Sequence, residues 1–343
     1  MAELTRKLKR AVELVRDPAE REAYIENRRA IRRPISSAWI EVSAVCNLDC
    51  ITCPRQTGVT PEDLELMPIE TYYSISDEVF PYIKDVNFIG LGESLMHPQI
   101  EKIISYAKSK YVGVNMTSNG TIMTPKIIDK IINAGLDSIA FSIDGGTKET
   151  FEYIRVNARF EKVKRNIRRL IDAKKERGVE RPWIAMGLVL MKTNVHELAD
   201  VVRLCDELEV RTLNAENIFT WSHQMEEELP LYNGMSPEHE EAIEHAKQVA
   251  EEIGINLELP NFEIQPLGPC SYQPHRHFVV TWQGDLRPCC NLYHPYHYVF
   301  RGKKKFAPET TMGNLLREDF KTIWDKPEYA AFRDANMTGV GLP

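Results

Sequence analysis

The sequence predicts an α/β fold made of parallel β/α units, and two observations support this. Short segments of strand-type residues alternate with longer amphipathic segments of helical spacing between residues 38 and 215. Polar, glycine-containing loops follow several of the strand-type segments. Strands that alternate with helices of this length form a parallel sheet, either open or closed into a barrel. In both cases ligands bind at the carboxyl ends of the strands.

Each element carries its own local signal. The strand segments are short and largely apolar, whereas the helical segments repeat apolar residues every three or four positions. Six strands are expected, at residues 38–42, 85–89, 113–116, 138–143, 184–191 and 211–215. Helices are expected between them, at residues 98–110, 124–134, 160–177 and 195–208.

The pattern differs on both sides of this series. Residues 1–30 predict a charged amphipathic helix, and Ser236-Pro237 opens a helix to about residue 253, because proline is favoured in the first helical turn. One last helix is expected from Asp319 to about Asn336. The predicted division is a helical segment at 1–33, a core at 34–225 and a C-terminal part at 226–343.

Composition limits the class of protein. The 343 residues are 43% hydrophobic and 27% charged, as in a globular protein with a sizeable core. No apolar stretch approaches the roughly 18 residues of a membrane span, and the charged N-terminus lacks a secretory signal, so we expect a cytoplasmic protein without membrane association. The net charge of −7 argues against non-specific binding of nucleic acid. The basic run at residues 301–305 is interpreted as a solvated loop.

Six of the seven cysteines form two groups, which indicates metal binding. An odd cysteine count in a protein expected to be cytoplasmic argues against a disulfide framework. Cys46, Cys50 and Cys53 have C-x3-C-x2-C spacing. Three thiolates on one loop can bind three irons of a 4Fe–4S cluster and leave the fourth iron open for chemistry. The alternative is a structural zinc or ferredoxin-type site completed by a distant ligand, since zinc and iron–sulfur clusters share thiolate ligands.

The loops at the ends of the next strands carry candidate binding residues. Gly90 and Gly92 allow the backbone to approach a ligand closely, and Glu93 can accept a hydrogen bond from an ammonium group. Three further side chains suit the recognition of hydroxyl groups: Asn119, Ser142 and Asp144. Taken singly, the glycines of these loops are also ordinary turn residues, and Asp144 could be a helix cap.

In this order, these motifs resemble the radical S-adenosylmethionine (SAM) superfamily over roughly residues 36–220. The resemblance implies a partial parallel (β/α)6 barrel in which Cys46, Cys50 and Cys53 bind the 4Fe–4S cluster. It also implies that Gly90, Gly92 and Glu93 bind the SAM amino group. The ends of the later strands would approach its ribose and carboxylate through Asn119, Ser142 and Asp144, and Arg155 would contact its carboxylate. One departure is Thr52, where many members have an aromatic residue near the adenine, so the adenine contact is left open.

The family resemblance also implies an activity. Its members reduce SAM to methionine and a 5′-deoxyadenosyl radical, which abstracts a hydrogen from a peptide, a protein or a small molecule. A flavodoxin- or ferredoxin-type reductant is implied. No catalytic side chain can be named, although Glu216 and Asn217 are candidates for lining the cavity. The alternative is a non-catalytic iron–sulfur or zinc protein, acting as an electron carrier or binding module on a β/α scaffold.

The second cysteine group resembles the SPASM or Twitch extension of these enzymes, which binds auxiliary iron–sulfur clusters. A hairpin turning at Gly284 would fold Cys289, and with it Cys290, towards Cys270. No cysteine follows Cys290, so we expect a chain that is cut short before further ligands, the alternative being an incomplete auxiliary site. Four nearby histidines are alternative metal ligands, although each is more often a structural residue: His275, His277, His294 and His297. Cys205, on the apolar face of a predicted helix, is interpreted as a small buried hydrophobe.

Overall fold

A computed structural model describes residues 34–57, 64–263, 270 and 272–338. The helical segment predicted at residues 1–33 and the glycine-rich end at 339–343 lie outside the described residues. Within the described part of the chain, one sheet of ten strands dominates the fold, and a separate hairpin of two strands lies beside it. No helix in that part is both long enough and apolar enough to cross a membrane.

The ten-stranded sheet is mostly parallel, with the order β12-β9-β8-β1-β2-β3-β4-β5-β6-β7. Strands β1 to β8 are parallel to one another, whereas β9 and β12 are antiparallel additions at one end. The strands of this sheet are β1 Ile35–Ile40, β2 Ile83–Phe88, β3 Gly113–Ser118, β4 Ser138–Ser142, β5 Trp183–Leu190, β6 Thr212–Asn217, β7 Asn256–Glu258, β8 His277–Val280, β9 Asp285–Arg287 and β12 Gly313–Asn314. The separate hairpin consists of β10 Tyr296–Phe300 and β11 Lys303–Ala307.

The helices connect these strands. They are α1 Ile69–Val79, α2 Ile100–Ser109, α3 Pro125–Asn133, α4 Lys148–Ile154, α5 Phe160–Glu176, α6 Leu198–Glu207, α7 His223–Glu228, α8 Pro237–Ile253, α9 Phe320–Trp324 and α10 Pro327–Thr338. Several begin at a side-chain cap: the Thr124 hydroxyl, for example, accepts a hydrogen bond from the Ile127 backbone N–H at 3.3 Å, and Pro125 occupies the first helical turn.

The predicted partial barrel of six β/α units is confirmed as a fold, and two details differ. Strands β7 and β8 extend the parallel sheet beyond the six predicted strands, one at each side. The single helix predicted from Asp319 to Asn336 is wrong, because the chain forms α9 and α10 with a break before Pro327. A proline disfavours the helical conformation of the residue before it, which explains the break.

The core lies on one face of the sheet. Val86, Phe88, Ile139 and Phe141 are fully buried there. On the opposite face, Trp39, Asn87, Asn115 and Ser138 are in register across β1 to β4, and all are only half-buried. Closed β/α barrels fill their interior with bulky branched side chains. The polar face of this sheet, hereafter the concave face, therefore leaves room for a ligand.

Candidate metal and cofactor site

The first three cysteines lie on the loop that follows β1. This loop is fixed to the residues after α4: the Asp49 backbone N–H donates to the Val156 carbonyl at 3.2 Å, and the Ile51 N–H donates to the Ile154 carbonyl at 3.0 Å. The Cys53 N–H closes the turn on the Cys50 carbonyl at 3.1 Å. The loop backbone therefore holds the three thiols close enough to influence one another electrostatically.

Each of these sulfurs has a nitrogen neighbour. The Asn119 side-chain nitrogen lies 3.8 Å from Cys46 Sγ, and Arg155 Nη1 lies 3.9 Å from Cys50 Sγ. The Arg55 backbone N–H donates to the Cys53 sulfur. Hydrogen bonds to the ligating sulfurs are among the features that set the reduction potential of an iron–sulfur cluster.

Burial favours the neutral thiol form of Cys50 and Cys53 in the absence of metal. It raises the pKa of Cys50 to about 11, although the nearby Arg155 charge opposes the shift. It also raises the pKa of Cys53, against the hydrogen bond and the charge of Arg55. Because a metal ligand must be a thiolate, cluster binding here has to displace protons.

The chemistry of the ligands suits an iron–sulfur cluster. Cysteine thiolates are the usual ligands of 4Fe–4S clusters, and each thiolate binds a different iron. Within the described ranges, no three His, Cys, Asp or Glu side chains are arranged to hold a single metal ion. Binding of the cluster by these three cysteines stays a prediction.

The loop from Gly90 to Glu93 packs directly on the cysteine loop. A Cβ atom at Gly92 would lie 2.4 Å from the Ser43 carbonyl oxygen and 2.5 Å from that of Val45. The Glu93 backbone N–H donates to the same Val45 carbonyl at 2.8 Å. Only glycine permits this backbone-to-backbone approach, so the two loops form one unit.

The carboxylate of Glu93 is bound to the protein's own backbone. The side chain is buried, and its oxygens accept from the Asn119 N–H at 2.7 Å and the Leu95 N–H at 3.1 Å. Desolvation raises the pKa of Glu93 despite these hydrogen bonds. The observed contacts join the loop after β2 to the end of β3. Recognition of an ammonium group by Glu93 stays a prediction.

Asp144 and Arg155 form a buried ion pair beside the cysteine loop. Arg155 Nε donates to Asp144 Oδ2 at 2.6 Å, and the other oxygen of Asp144 accepts from the Val189 N–H at 2.8 Å. Burial acts to lower the pKa of Arg155, but the charges of Asp144 and Cys50 outweigh it and raise the pKa. Ser142 lies half-buried at the end of β4, beside Gly187 of β5. Asp144 and Arg155 therefore lie close to Cys50, whereas Ser142 is placed only by its neighbour on β5.

Four residues of this region were not predicted as site residues. Asn47 lies within the cysteine motif and Arg55 two residues after it, and Asn47 accepts from the Asn119 amide at 3.0 Å. Asn194 donates to the Asp144 carbonyl at 3.0 Å. Glu197 accepts from the Gly146 N–H at 2.8 Å and from the Thr150 hydroxyl at 2.6 Å. It therefore binds the amino end of α4, the helix that ends just before Arg155. Asn194 and Glu197 both lie at the junction between β5 and α6, directly after a predicted strand, and that position could have indicated them.

The second cysteine group assembles as the hairpin prediction requires. Strands β8 and β9 are antiparallel around Gly284, whose φ of 87° is favourable only for glycine. Cys270, Cys289 and Cys290 interact electrostatically, and a hydrogen bond from the neighbouring Cys290 thiol lowers the pKa of Cys289. Three thiols among the described residues are therefore available to bind an auxiliary iron–sulfur cluster.

Two of the four candidate histidine ligands have structural partners instead. His277 is buried, and its Nδ1 lies 3.1 Å from the Ser37 hydroxyl oxygen. Burial lowers the pKa of His277 to about 4, so its ring is neutral at physiological pH. His294 Nε2 lies 2.8 Å from a carboxylate oxygen of Glu41. Among the described residues, no hydrogen bond joins His275 or His297 to a cysteine.

Aromatic and acidic side chains border the concave face between the two cysteine groups. The Trp39 ring packs edge-to-face on Tyr272, with centroids 6.3 Å apart, and on His277 at 5.3 Å. Glu216, near the end of β6, is an exposed residue, but partial desolvation of its carboxyl group raises its pKa. Asn217 donates to the Asn261 carbonyl at 2.9 Å. Glu216 also contributes to the electrostatic surroundings of Tyr272.

Two family models match the chain. The model of the radical SAM superfamily matches residues 40–205, and the model of the SPASM iron–sulfur cluster-binding domain matches residues 270–340. The chain therefore contains a radical SAM domain followed by a SPASM domain. As a radical SAM enzyme it takes a 4Fe–4S cluster and SAM, and its SPASM domain implies auxiliary iron–sulfur clusters. The cofactors implied by the cysteine motifs are therefore confirmed.

Relatives support this assignment along most of the chain. The tungsten-containing aldehyde ferredoxin oxidoreductase cofactor-modifying protein of Pyrococcus furiosus is 25% identical over 304 residues, which cover 86% of this chain and 82% of the relative. The AdoMet-dependent heme synthase of Methanosarcina barkeri is 25% identical over 314 residues, covering 85% and 82%.

Solved structures show the same fold. SuiB of Streptococcus suis bound to S-adenosylmethionine has a TM-score of 0.64 at 14% identity, covering 92% of this chain and 72% of SuiB. SuiB bound to its precursor peptide SuiA gives 0.63 at 15% identity, covering 92% and 70%. At such identities the likeness concerns the fold.

Proposed function

We propose that this radical SAM enzyme binds its catalytic cluster through Cys46, Cys50 and Cys53, cleaves SAM there, and abstracts a hydrogen atom from a substrate on the concave face. The observation that carries the proposal is the loop of three thiols, each with a nitrogen neighbour, pressed against the loop from Gly90 to Glu93. When bound, the cluster supplies one electron that breaks a carbon–sulfur bond of SAM, giving methionine and a 5′-deoxyadenosyl radical. A flavodoxin- or ferredoxin-type protein would supply the electron in the cytoplasm.

The chain's own residues bind and orient SAM. Arg155 suits the SAM carboxylate, because Asp144 holds its Nε and leaves Nη1 beside Cys50. The backbone of Gly90 to Glu93 suits the amino group, since it lies against the cysteine loop. Ser142 suits a hydroxyl or carboxylate group of SAM. Asn119 and Asp144 contribute mainly by positioning, as most of their polar atoms bond to the protein.

A peptide or protein segment is the substrate that the concave face supports best. Its amide and hydroxyl side chains, including Asn87, Asn115 and Ser138, can exchange hydrogen bonds with a peptide backbone. SuiB, which shares the fold, was solved with a precursor peptide. Glu216 and Tyr272 lie where they would line the same space.

A second candidate is a cofactor-type small molecule. It is favoured by the names of the two relatives that match most of the chain, a cofactor-modifying protein and a heme synthase. The edge of Trp39 and Tyr272 offers an aromatic surface on which a planar ring could pack.

Anaerobic reconstitution tests the proposal. Iron and sulfide are counted, the reduced protein is examined by electron paramagnetic resonance (EPR), and 5′-deoxyadenosine is measured after adding dithionite and SAM. The wild-type protein should form 5′-deoxyadenosine, whereas the triple variant Cys46→Ala/Cys50→Ala/Cys53→Ala should not. Cys205→Ala is the matched control, because Cys205 is buried in α6 against Met186 and lies outside both cysteine groups.

Two outcomes would contradict the proposal. Tightly bound zinc without 5′-deoxyadenosine would favour the non-catalytic alternative, and equal product from the triple variant would exclude these cysteines. Substrate class is tested separately by adding a short peptide library or a tetrapyrrole to the active protein. The substrate class is the one whose members increase 5′-deoxyadenosine formation and themselves change in mass.

A further inference from the structure

A buried carboxylate connects the SPASM domain with the loop proposed to bind SAM. Glu41 directly follows β1, is completely buried, and has no part in the function proposed above. His294 Nε2 lies 3.0 Å from its Oε1 and 2.8 Å from its Oε2, and the Leu91 N–H donates to Oε1 at 2.9 Å. One carboxylate therefore holds both the C-terminal domain and the centre of the loop from Gly90 to Glu93.

The loop is shaped around this carboxylate. A Cβ atom at Gly90 would lie 2.5 Å from Glu41 Cγ and 2.6 Å from its Oε1. A buried charge is costly unless it is paired and hydrogen-bonded. With the imidazole removed, the backbone N–H of Leu91 would be the main remaining donor to Glu41. Glu41 would then move or recruit water, and the Leu91 amide would move with it.

His294 is connected just as closely to the second cysteine group. It follows Cys290 by four residues, and the intervening turn is closed by the Leu292 N–H on the Cys289 carbonyl at 3.1 Å. The Asn291 N–H also donates to the Cys289 sulfur at 3.4 Å. The Tyr293 ring packs edge-to-face on the imidazole, with centroids 4.6 Å apart. A short, hydrogen-bonded segment therefore links the position of His294 to that of Cys289 and Cys290.

We propose that His294 is a positioning residue through which the SPASM domain sets the SAM-binding loop. When Cys270, Cys289 and Cys290 bind their cluster, the turn to His294 is fixed at both ends, and His294 then holds Glu41 and the Leu91 amide in place. The inference rests on the proposed function for the role of that loop. Its consequence is that loading of the auxiliary site and affinity for SAM are coupled, and such coupling is reciprocal.

Binding measurements on the full chain test the coupling. The Kd for SAM is measured by anaerobic equilibrium dialysis with the wild type, His294→Leu, Cys289→Ala and the double variant. Each single variant should weaken SAM binding by about 5- to 150-fold, the usual range for coupled sites. The double variant should be no weaker than the weaker single variant, because both changes break the same connection. His294→Gln, which keeps a side-chain N–H donor, should restore much of the affinity.

The controls separate this inference from other failures. His297→Leu removes a histidine of β10 that packs on Phe306, and should bind SAM like the wild type. Thermal unfolding identifies variants that fail to fold, and the EPR signal of the reduced SAM-site cluster should respond less to SAM in His294→Leu. Unchanged SAM affinity in His294→Leu, or losses that multiply in the double variant, would overturn the inference. If the wild type itself fails to bind SAM, the proposed function is at fault instead.

Discussion

The substitution Gly92→Ala tests the packing of the two cofactor loops with a single methyl group. The new Cβ would lie 2.4 to 2.7 Å from three backbone atoms of residues 43–45, which cannot rotate away as side chains do. Restoring van der Waals contact requires the loops to separate by about 1 Å. Overpacking of this kind costs about 1–3 kcal/mol. If the loops separate to relieve the strain, that energy appears as a loss of SAM affinity of about 5- to 150-fold.

Two measurements together decide the outcome. The strain must appear either in the free energy of unfolding, measured with urea under anaerobic conditions, or in the Kd for SAM. Gly187→Ala is the matched control for stability only, since a Cβ there meets nothing within 4 Å but Gly187 lies beside Ser142, a proposed SAM contact. A Gly92→Ala protein with both wild-type stability and wild-type SAM affinity would refute the close approach of the loops.

Three further outcomes are expected. Asp144→Ala should lower the free energy of unfolding by about 3–5 kcal/mol, because it leaves the Arg155 charge buried and unpaired; a loss below 1 kcal/mol in urea titrations would contradict the buried pair. Cys289→Ala should lower iron content yet still form 5′-deoxyadenosine at saturating SAM, as checked by iron assay and chromatography; full iron retention would exclude Cys289 as a ligand. Desolvation acts to raise the pKa of Glu197, but its hydrogen bonds to Thr150 and neighbouring groups outweigh this and lower it. The stabilisation of the folded protein by ionised Glu197 is therefore complete above the pKa of about 4.3 that a glutamate has in the unfolded chain. It is lost as the pH falls through the lower pKa of Glu197 in the folded protein. Glu197→Gln should accordingly be less stable than wild type at pH 7, with the gap narrowing in acid, and a constant gap in urea titrations from pH 7 to 3 would refute this.

The sequence predicts those parts of the fold whose signals are local. The helix at Pro237–Ile253 begins where Ser236 and Pro237 indicate and ends at the predicted residue, and the six central strands match their segments within a few residues. Strand β7, with only three residues, was missed. The hairpin of β8 and β9 was expected, but the pairing of β8 with β1 across about 240 residues of chain was not. The helix α1 was not predicted either, although its buried apolar residues repeat at helical spacing.

The candidate site divides in the same way. The cysteine spacing and the loop glycines are visible in the sequence because each feature lies within a few residues. The pairing of Asp144 with Arg155 spans 11 residues, that of Glu93 with Asn119 spans 26, and that of Glu41 with His294 spans 253. Such partners depend on which strands are neighbours, so a residue type alone cannot indicate whether a carboxylate binds a ligand or holds another side chain.

The two faces of the sheet carry different kinds of side chains, buried and apolar on one face and half-buried on the other. The face under the helices carries buried residues such as Val86 and Phe141, so substitutions there remove apolar contacts and destabilise the whole domain. The concave face carries half-buried residues such as Asn87 and Asn115, whose side chains contribute little to the core. Substitutions on the concave face should therefore leave the fold intact. The cysteine loop cannot change in this way, because Gly92, Glu93 and the end of β3 are built against it.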